Sequence, residues 1–108
     1  MILCTTDNLP GRTVTGYLGL VKGCSVRGAH AGDDLVATMK NTMGGEIHEY
    51  TRLFAQAREQ ALDRLMADAR LLGADAVVGL RFCTTEISAG VAELLVYGTA
   101  VSLDPLTV

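Results

Sequence analysis

Between Glu46 and Gly73 the chain reads EIHEYTRLFAQAREQALDRLMADARLLG, and this stretch leaves the rest of the molecule the least freedom. Apolar residues fall at Tyr50, Leu53, Phe54, Ala57, Ala61, Leu65, Ala69 and Leu72, in steps of three and four that form one stripe of a helix lying on a core. Arg52, Gln56, Glu59, Asp63 and Arg70 occupy the opposite, water-facing side. Ala57 and Ala61 are small, so a sheet beneath can approach closely at the middle of the stripe. Arg64 and Asp68, four apart, are placed to pair with each other. Gly73 follows the last periodic residue and suits a left-handed helix stop.

The remaining segments read as strands around this helix. Ile2–Thr6 is a short strand ended by the turn-forming run Asp7-Asn8-Leu9-Pro10-Gly11. Thr13–Val26 is rich in Val, Leu, Thr and Tyr. Its alternation sets Val14, Gly16, Leu18, Leu20, Lys22 and Cys24 against Thr15, Tyr17, Gly19, Val21 and Gly23. Neither set is polar, which describes a strand covered on both faces. Gly16, Gly19 and Gly23 mark bulges or places where another backbone comes near. Arg27 to Gly32 is a loop, Asp34–Met43 a short helix, and Gly44-Gly45 the turn into the long one. Asp75–Glu86 alternates Ala76, Val78, Leu80 and Phe82 against Val77, Gly79, Arg81 and Cys83. Ser88-Ala89-Gly90 then turns the chain into Val91–Ser102 as a hairpin.

The order is β-β-α-α-β-β in one domain spanning residues 1–108, of class α+β. A right-handed crossover from the second strand to the third leaves the last strand between them, antiparallel to both. Helices then cover one face of a small antiparallel sheet and leave the other bare and apolar. With 49% hydrophobic and only 19% charged residues in 108, a small monomer has more apolar surface than it can hide, so a homo-oligomer is expected.

Other partner classes find no support. A net charge of −3 gives no reason to expect nucleic acid or an anionic membrane, and no apolar run is long enough to span a bilayer. The first residues, MILCTTDNLPGR, lack the features of a signal peptide. Three cysteines without paired spacing read as free thiols of a reducing cytoplasm.

The segments LGADAVVGLRF (Leu72–Phe82) and LLVYGTAV (Leu94–Val101) resemble the YbjQ-like family. So do Cys4–Thr6, Gly16–Gly23, the Gly44-Gly45 pair and the alanine-bearing helix after it, so that the likeness runs along nearly the whole chain. The resemblance implies a dodecin-like subunit fold, assembly as a homopentamer, and the heavy-metal-binding label carried by the family. It also implies an acidic or polar residue in the short-helix region, a position that Asp33 or Asp34 would fill.

Metal donors present in the sequence are Cys24, His30, Asp33 and Asp34 before the short helix and Glu46, His48 and Glu49 after it. The expected set is Cys24, His30, His48 and Glu49, meeting within one chain or across a subunit boundary. Thiolate with imidazole favours a soft or borderline divalent ion such as zinc or copper. The bland alternative makes the histidines exposed and lets Glu46 and Glu49 complement the helix dipole. No HxxxH or CxxC spacing supports the metal set. Cys24 and His30 are the nearest thing to a nucleophile and base, yet no nucleophile elbow surrounds them and Cys24 continues the alternation of a buried strand. No catalytic constellation follows, and the expectation is a binding or scaffolding protein that holds a metal ion or small ligand between subunits, without enzymatic activity of its own; the alternative from another class is an enzyme with its site at a subunit interface and His30 as acid or base. Arg81 is expected either to pair with a neighbouring subunit's carboxylate or to line a central channel that attracts small anions.

Overall fold

The computed structural model describes residues 1–27, 48–88 and 91–105, with the side chains of residues 48–51 and 88 outside that description. The short helix expected over Asp34–Met43, the Gly44-Gly45 turn, Ala89-Gly90 and residues 106–108 lie outside the described residues. The described elements are β1 (Ile2–Leu3), β2 (Val14–Arg27), α1 (His48–Leu71), β3 (Ala76–Ser88) and β4 (Val91–Leu103).

The strand order is β1-β3-β4-β2. The last strand lies between β2 and β3 and is antiparallel to both, as the crossover argument requires. β1 adds a fourth strand at the edge, parallel to β3, with Ile2 opposite Ala76 and Leu3 opposite Val77. The sheet is therefore mixed, a point that two residues of β1 could not announce through periodicity. Long strands make the molecule elongated, 56 × 24 × 17 Å.

α1 ends where Gly73 adopts φ +73°. The Gly73 amide donates to the Arg70 carbonyl and the Ala74 amide to the Ala69 carbonyl, the paired bonds of a Schellman stop. Because the helix closes at Leu71, Leu72 leaves the stripe and is exposed, as is Leu71. Ala57, Ala61, Leu65 and Ala69 are buried as the periodicity predicts.

The sheet faces differ from the alternation read in the sequence in β3 and again in β2, where Tyr17 stands opposite Val101 of the far-side cluster while Val21 packs under α1. Val78 stands opposite Thr99 and Arg81 opposite Tyr97, so β3 carries one extra residue there. Gly79 takes φ +63° to make this bulge, a conformation costly for any residue with a Cβ. The extra residue swaps the faces: Val77 and Leu80 lie under α1, and Phe82, opposite the buried Val96, shares their side, while Ala76 and Val78 turn to the far side. β2 carries two further register shifts, between Val14 and Gly16 and between Tyr17 and Gly19.

Two clusters result. Val21, Ala61, Leu65, Ala69, Val77, Leu80, Val96 and Ala100 fill the space between α1 and the sheet. On the far side Ala76, Val78, Val101 and Leu103 are covered by Cys4, Leu9 and Val14. The expectation of a wholly bare second face is thus corrected: the chain's own N-terminal segment closes one end of it. That segment is stitched to the β3 bulge. The Gly79 amide donates to the Thr6 carbonyl, the Leu80 amide to the Cys4 carbonyl, and the Arg81 guanidinium to the Thr5 carbonyl at 2.8 Å.

Candidate functional site

Gly23 decides how α1 sits on β2. A Cβ at this position would collide with the Ala61 carbonyl and the Leu65 amide, so helix backbone rests directly on strand backbone. Beside the apolar stripe, Gln60, Arg64 and Asp68 recur every four residues and face the strand. Gln60 Oε1 accepts from Ser25 Oγ at 2.8 Å and from Arg27 Nη1 at 3.0 Å. Arg64 Nη1 donates to the Cys24 carbonyl at 2.6 Å, and the Lys22 amide donates to Asp68 Oδ2 at 3.2 Å. The expected Arg64–Asp68 pairing is replaced by these bonds to the main chain. β2 is a sheet edge, and the two side chains occupy an amide and a carbonyl that would otherwise face solvent unpaired.

Along this edge runs a groove of about 400 Å³ lined by Lys22, Gly23, Cys24, Arg64, Ala67, Asp68, Leu71 and Leu95. It places a thiol, two cations and a carboxylate on one apolar-floored surface. A second groove of about 550 Å³, toward the start of α1, is lined by Arg27, Arg52, Gln56, Glu59, Gln60 and Asp63. There Arg27 Nε is buried without a hydrogen-bond partner.

Cys24 is the one expected metal donor whose side chain is described, and its position corrects the reading of a buried thiol. Val21, Gly23 and Ser25 are the buried residues of this stretch, while Lys22, Cys24 and Val26 point out. His48 and Glu49 stand in the first turn of α1, but their side chains, like all of His30, Asp33, Asp34 and Glu46, lie outside the described residues.

All three thiols are free. Cys24 and Cys83 are both exposed and flank Leu95 from either side, in one cross-strand row. Two strand spacings, about 9.6 Å, separate their backbones. That exceeds the roughly 7 Å limit for a disulfide. Cys4 sits at the other end, half-buried, its Sγ accepting from Thr6 Oγ1 at 3.4 Å. Among the described residues no three Cys, His, Asp or Glu side chains come together as a metal site. The described residues of one copy therefore do not fit a closed heavy-metal centre, and Cys24 offers a single soft donor.

Arg81 lies on the sheet face away from α1, opposite Tyr97. Its guanidinium donates to the Thr5 and Leu80 carbonyls, both at 2.8 Å, and so braces the N-terminal segment. Neither a channel ring nor an intersubunit ion pair is needed to account for it. Of the helix-borne residues, Gln60 escapes the sequence reading and Arg64 and Asp68 are read there only as a mutual pair, although the four-residue spacing of all three beside the apolar stripe was the available signal.

Mixed sheet, single described helix and edge-held thiol define a small α+β domain whose exposed groups lie along its strand edges. The chain belongs to the YbjQ family: the family's sequence profile, described as "Putative heavy-metal-binding", matches residues 1–104. A UPF0145 protein of Archaeoglobus fulgidus is 52% identical over 103 residues, covering 95% of each chain. One of Thermus thermophilus is 47% identical over 105 residues, covering 97% of this chain and 92% of its own. Among solved structures, a DUF74-family protein of Pediococcus pentosaceus superposes with a TM-score of 0.64 at 20% identity, over 96% of this chain and 98% of that one, and thereby supports the fold. Among the described residues no helix is long and apolar enough to cross a membrane.

Proposed function

We propose that this chain is a cytoplasmic homo-oligomeric binding protein, a ring of five copies, that holds a ligand between its subunits and has no catalytic activity of its own. The observation that carries the reading is the amount of apolar surface left outside the core. Tyr17, Leu20, Leu71, Phe82 and Ile87 are all exposed, on strands and a helix that are otherwise well packed. Surface of this kind on a folded domain marks a contact with another molecule.

Light scattering on untagged protein tests this. Five chains of 11.4 kDa give a particle of about 57 kDa. A folded monomer at micromolar concentration refutes the assembly, and a stable oligomer of another number refutes the pentamer alone.

A second reading, metal handling, is favoured by the description of the family profile and by the exposed Cys24 thiol. Its ligand set is Cys24, His30, His48 and Glu49, and its ion is zinc or copper, since sulfur and imidazole donors select borderline and soft metals. Metal analysis of protein purified without an affinity tag checks it. Unaltered metal content after replacing both His30 and His48 by alanine removes these ligands.

A further inference from the structure

We propose that Arg64 and Asp68 form a side-chain latch that closes the β2 edge to strand addition, so that α1 does for this edge what a further strand would do. The latch holds whatever number of copies assemble.

β2 ends the sheet order β1-β3-β4-β2. An edge strand offers unpaired amides and carbonyls to any extended chain, and natural proteins blunt it with bulges, charges, proline or a covering element. This edge has little protection in its own sequence. From Thr13 to Val26 it carries one charged side chain, Lys22, and no proline. Segments rich in β-forming residues and poor in charge pair readily with copies of themselves. The two halves of β2 are guarded differently. The first half is broken by register shifts between Val14 and Gly16 and between Tyr17 and Gly19, with Gly19 at φ +122°. From Leu20, opposite Thr99, to Arg27, opposite Ala92, the register against β4 runs without interruption. That regular stretch is the template an incoming strand would use.

The latch lies in the middle of it. Asp68 Oδ2 accepts from the Lys22 amide at 3.2 Å, and Arg64 Nη1 donates to the Cys24 carbonyl at 2.6 Å. A donor and an acceptor on alternate residues are thereby taken, the same groups that a ladder bond would need. The match has a geometric cause. Residues four apart on a helix advance about 6 Å along its axis, and alternate residues of a strand advance about 6.7 Å. Asp68 and Arg64 therefore fall in step with Lys22 and Cys24, and Gln60 continues the series to Ser25 and Arg27. Gly23 brings the two backbones close enough for these short reaches, since any Cβ there would collide with the Ala61 carbonyl and Leu65 amide. Each latch bond has one ionised partner, which makes it roughly twice as strong as the neutral peptide bond that would displace it. An extended segment of another chain thus finds this part of the edge already bonded.

Two double variants and one measurement on the parent protein test the latch. Arg64→Ala with Asp68→Ala removes both bonds and one charge of each sign, so the net charge stays at −3. It is expected to keep the parent's circular dichroism spectrum when fresh and then to form sedimenting aggregates that bind thioflavin T, under conditions in which the parent stays in solution. Arg64→Lys with Asp68→Asn keeps one donor and one acceptor, and is expected to behave as the parent does. Soluble alanine variant, or aggregation of both variants alike, overturns the latch, the second because it would trace the effect to the side chains' identity rather than to the bonds. Hydrogen exchange decides the matter should the alanine variant misfold. In the parent the Lys22 amide is expected to be protected, and in the single variant Asp68→Ala to exchange at least about tenfold faster, the loss of one bond to a charged group. A Lys22 amide that is unprotected in the parent means that no latch exists.

Discussion

The two ends of the sheet are made by the same three long strands and differ in what lies on them. At the end built from Ala76–Leu80 and Ala100–Leu103, α1 covers one face and the Cys4–Val14 segment the other. There Ala76, Val77 and Val78 are all buried in succession, and so are Ala100 and Val101. At the other end, residues Arg81 to Ile87 are exposed without exception, while across the sheet Leu94, Val96 and Ser25 remain buried beneath the helix side. The difference shows that coverage is a property of the end, not of the strand. One strand passes from a two-sided core to an open ledge at a single glycine bulge.

Substitution at the hinge of the covered part should have the largest effect. In Gly23→Val the new side chain meets helix main chain, which cannot rotate aside, so α1 must lift from β2. Overpacking of this kind costs about 3 kcal/mol or more. That is a large share of the 5–15 kcal/mol typical of a whole domain. Urea unfolding followed by circular dichroism at fixed protomer concentration should show it. A loss under about 1 kcal/mol would mean that the helix is not seated on Gly23, and would erase the contrast between the ends.

The contrast was only partly legible in the sequence. The buried run Ala57, Ala61, Leu65 and Ala69, the stop at Gly73 and the central place of β4 all follow from local rules of spacing, helix termination and crossover handedness. The face assignment of β3 did not follow, because one extra residue inverts alternation and AVVGL is apolar on both sides of Gly79. Cys24 looked buried for a related reason. Its neighbours Gly23 and Ser25 are the inward residues, and neither is conspicuously apolar. For the candidate metal set, Cys24 and His30 precede the expected short helix and His48 and Glu49 follow it, and spacing alone carries no information about whether they meet.

Gly79→Ala gives a smaller effect that tests the bulge itself. No atom crowds the position, since the nearest, Asp7 Oδ1, would lie 3.7 Å from the new Cβ. The cost is conformational and amounts to about 1–2 kcal/mol for the left-handed region. The same unfolding experiment measures it. An unchanged midpoint would show that β3 reaches its register without φ +63° at this residue, and the inversion of faces would need another cause.

The smallest expected effect separates a buried bond at the open end from the exposed ledge beside it. Ser25 is 1% exposed and donates to Gln60 Oε1, which also accepts from Arg27. Ser25→Ala removes the donor but leaves the acceptor satisfied by the guanidinium, so the loss should be that of one ordinary hydrogen bond, about 1 kcal/mol. Thr84→Ala, on the neighbouring exposed stretch of β3, should stay within about 0.5 kcal/mol of the parent. The two strands run side by side with β4 between them, Ser25 and Thr84 both opposite Leu94. Equal losses at the two positions would mean that α1 does not shelter the β2 side of this end, and the open ledge would then span all three strands. A loss at Thr84 that appears only in the assembled protein would instead place that residue beneath a neighbouring copy.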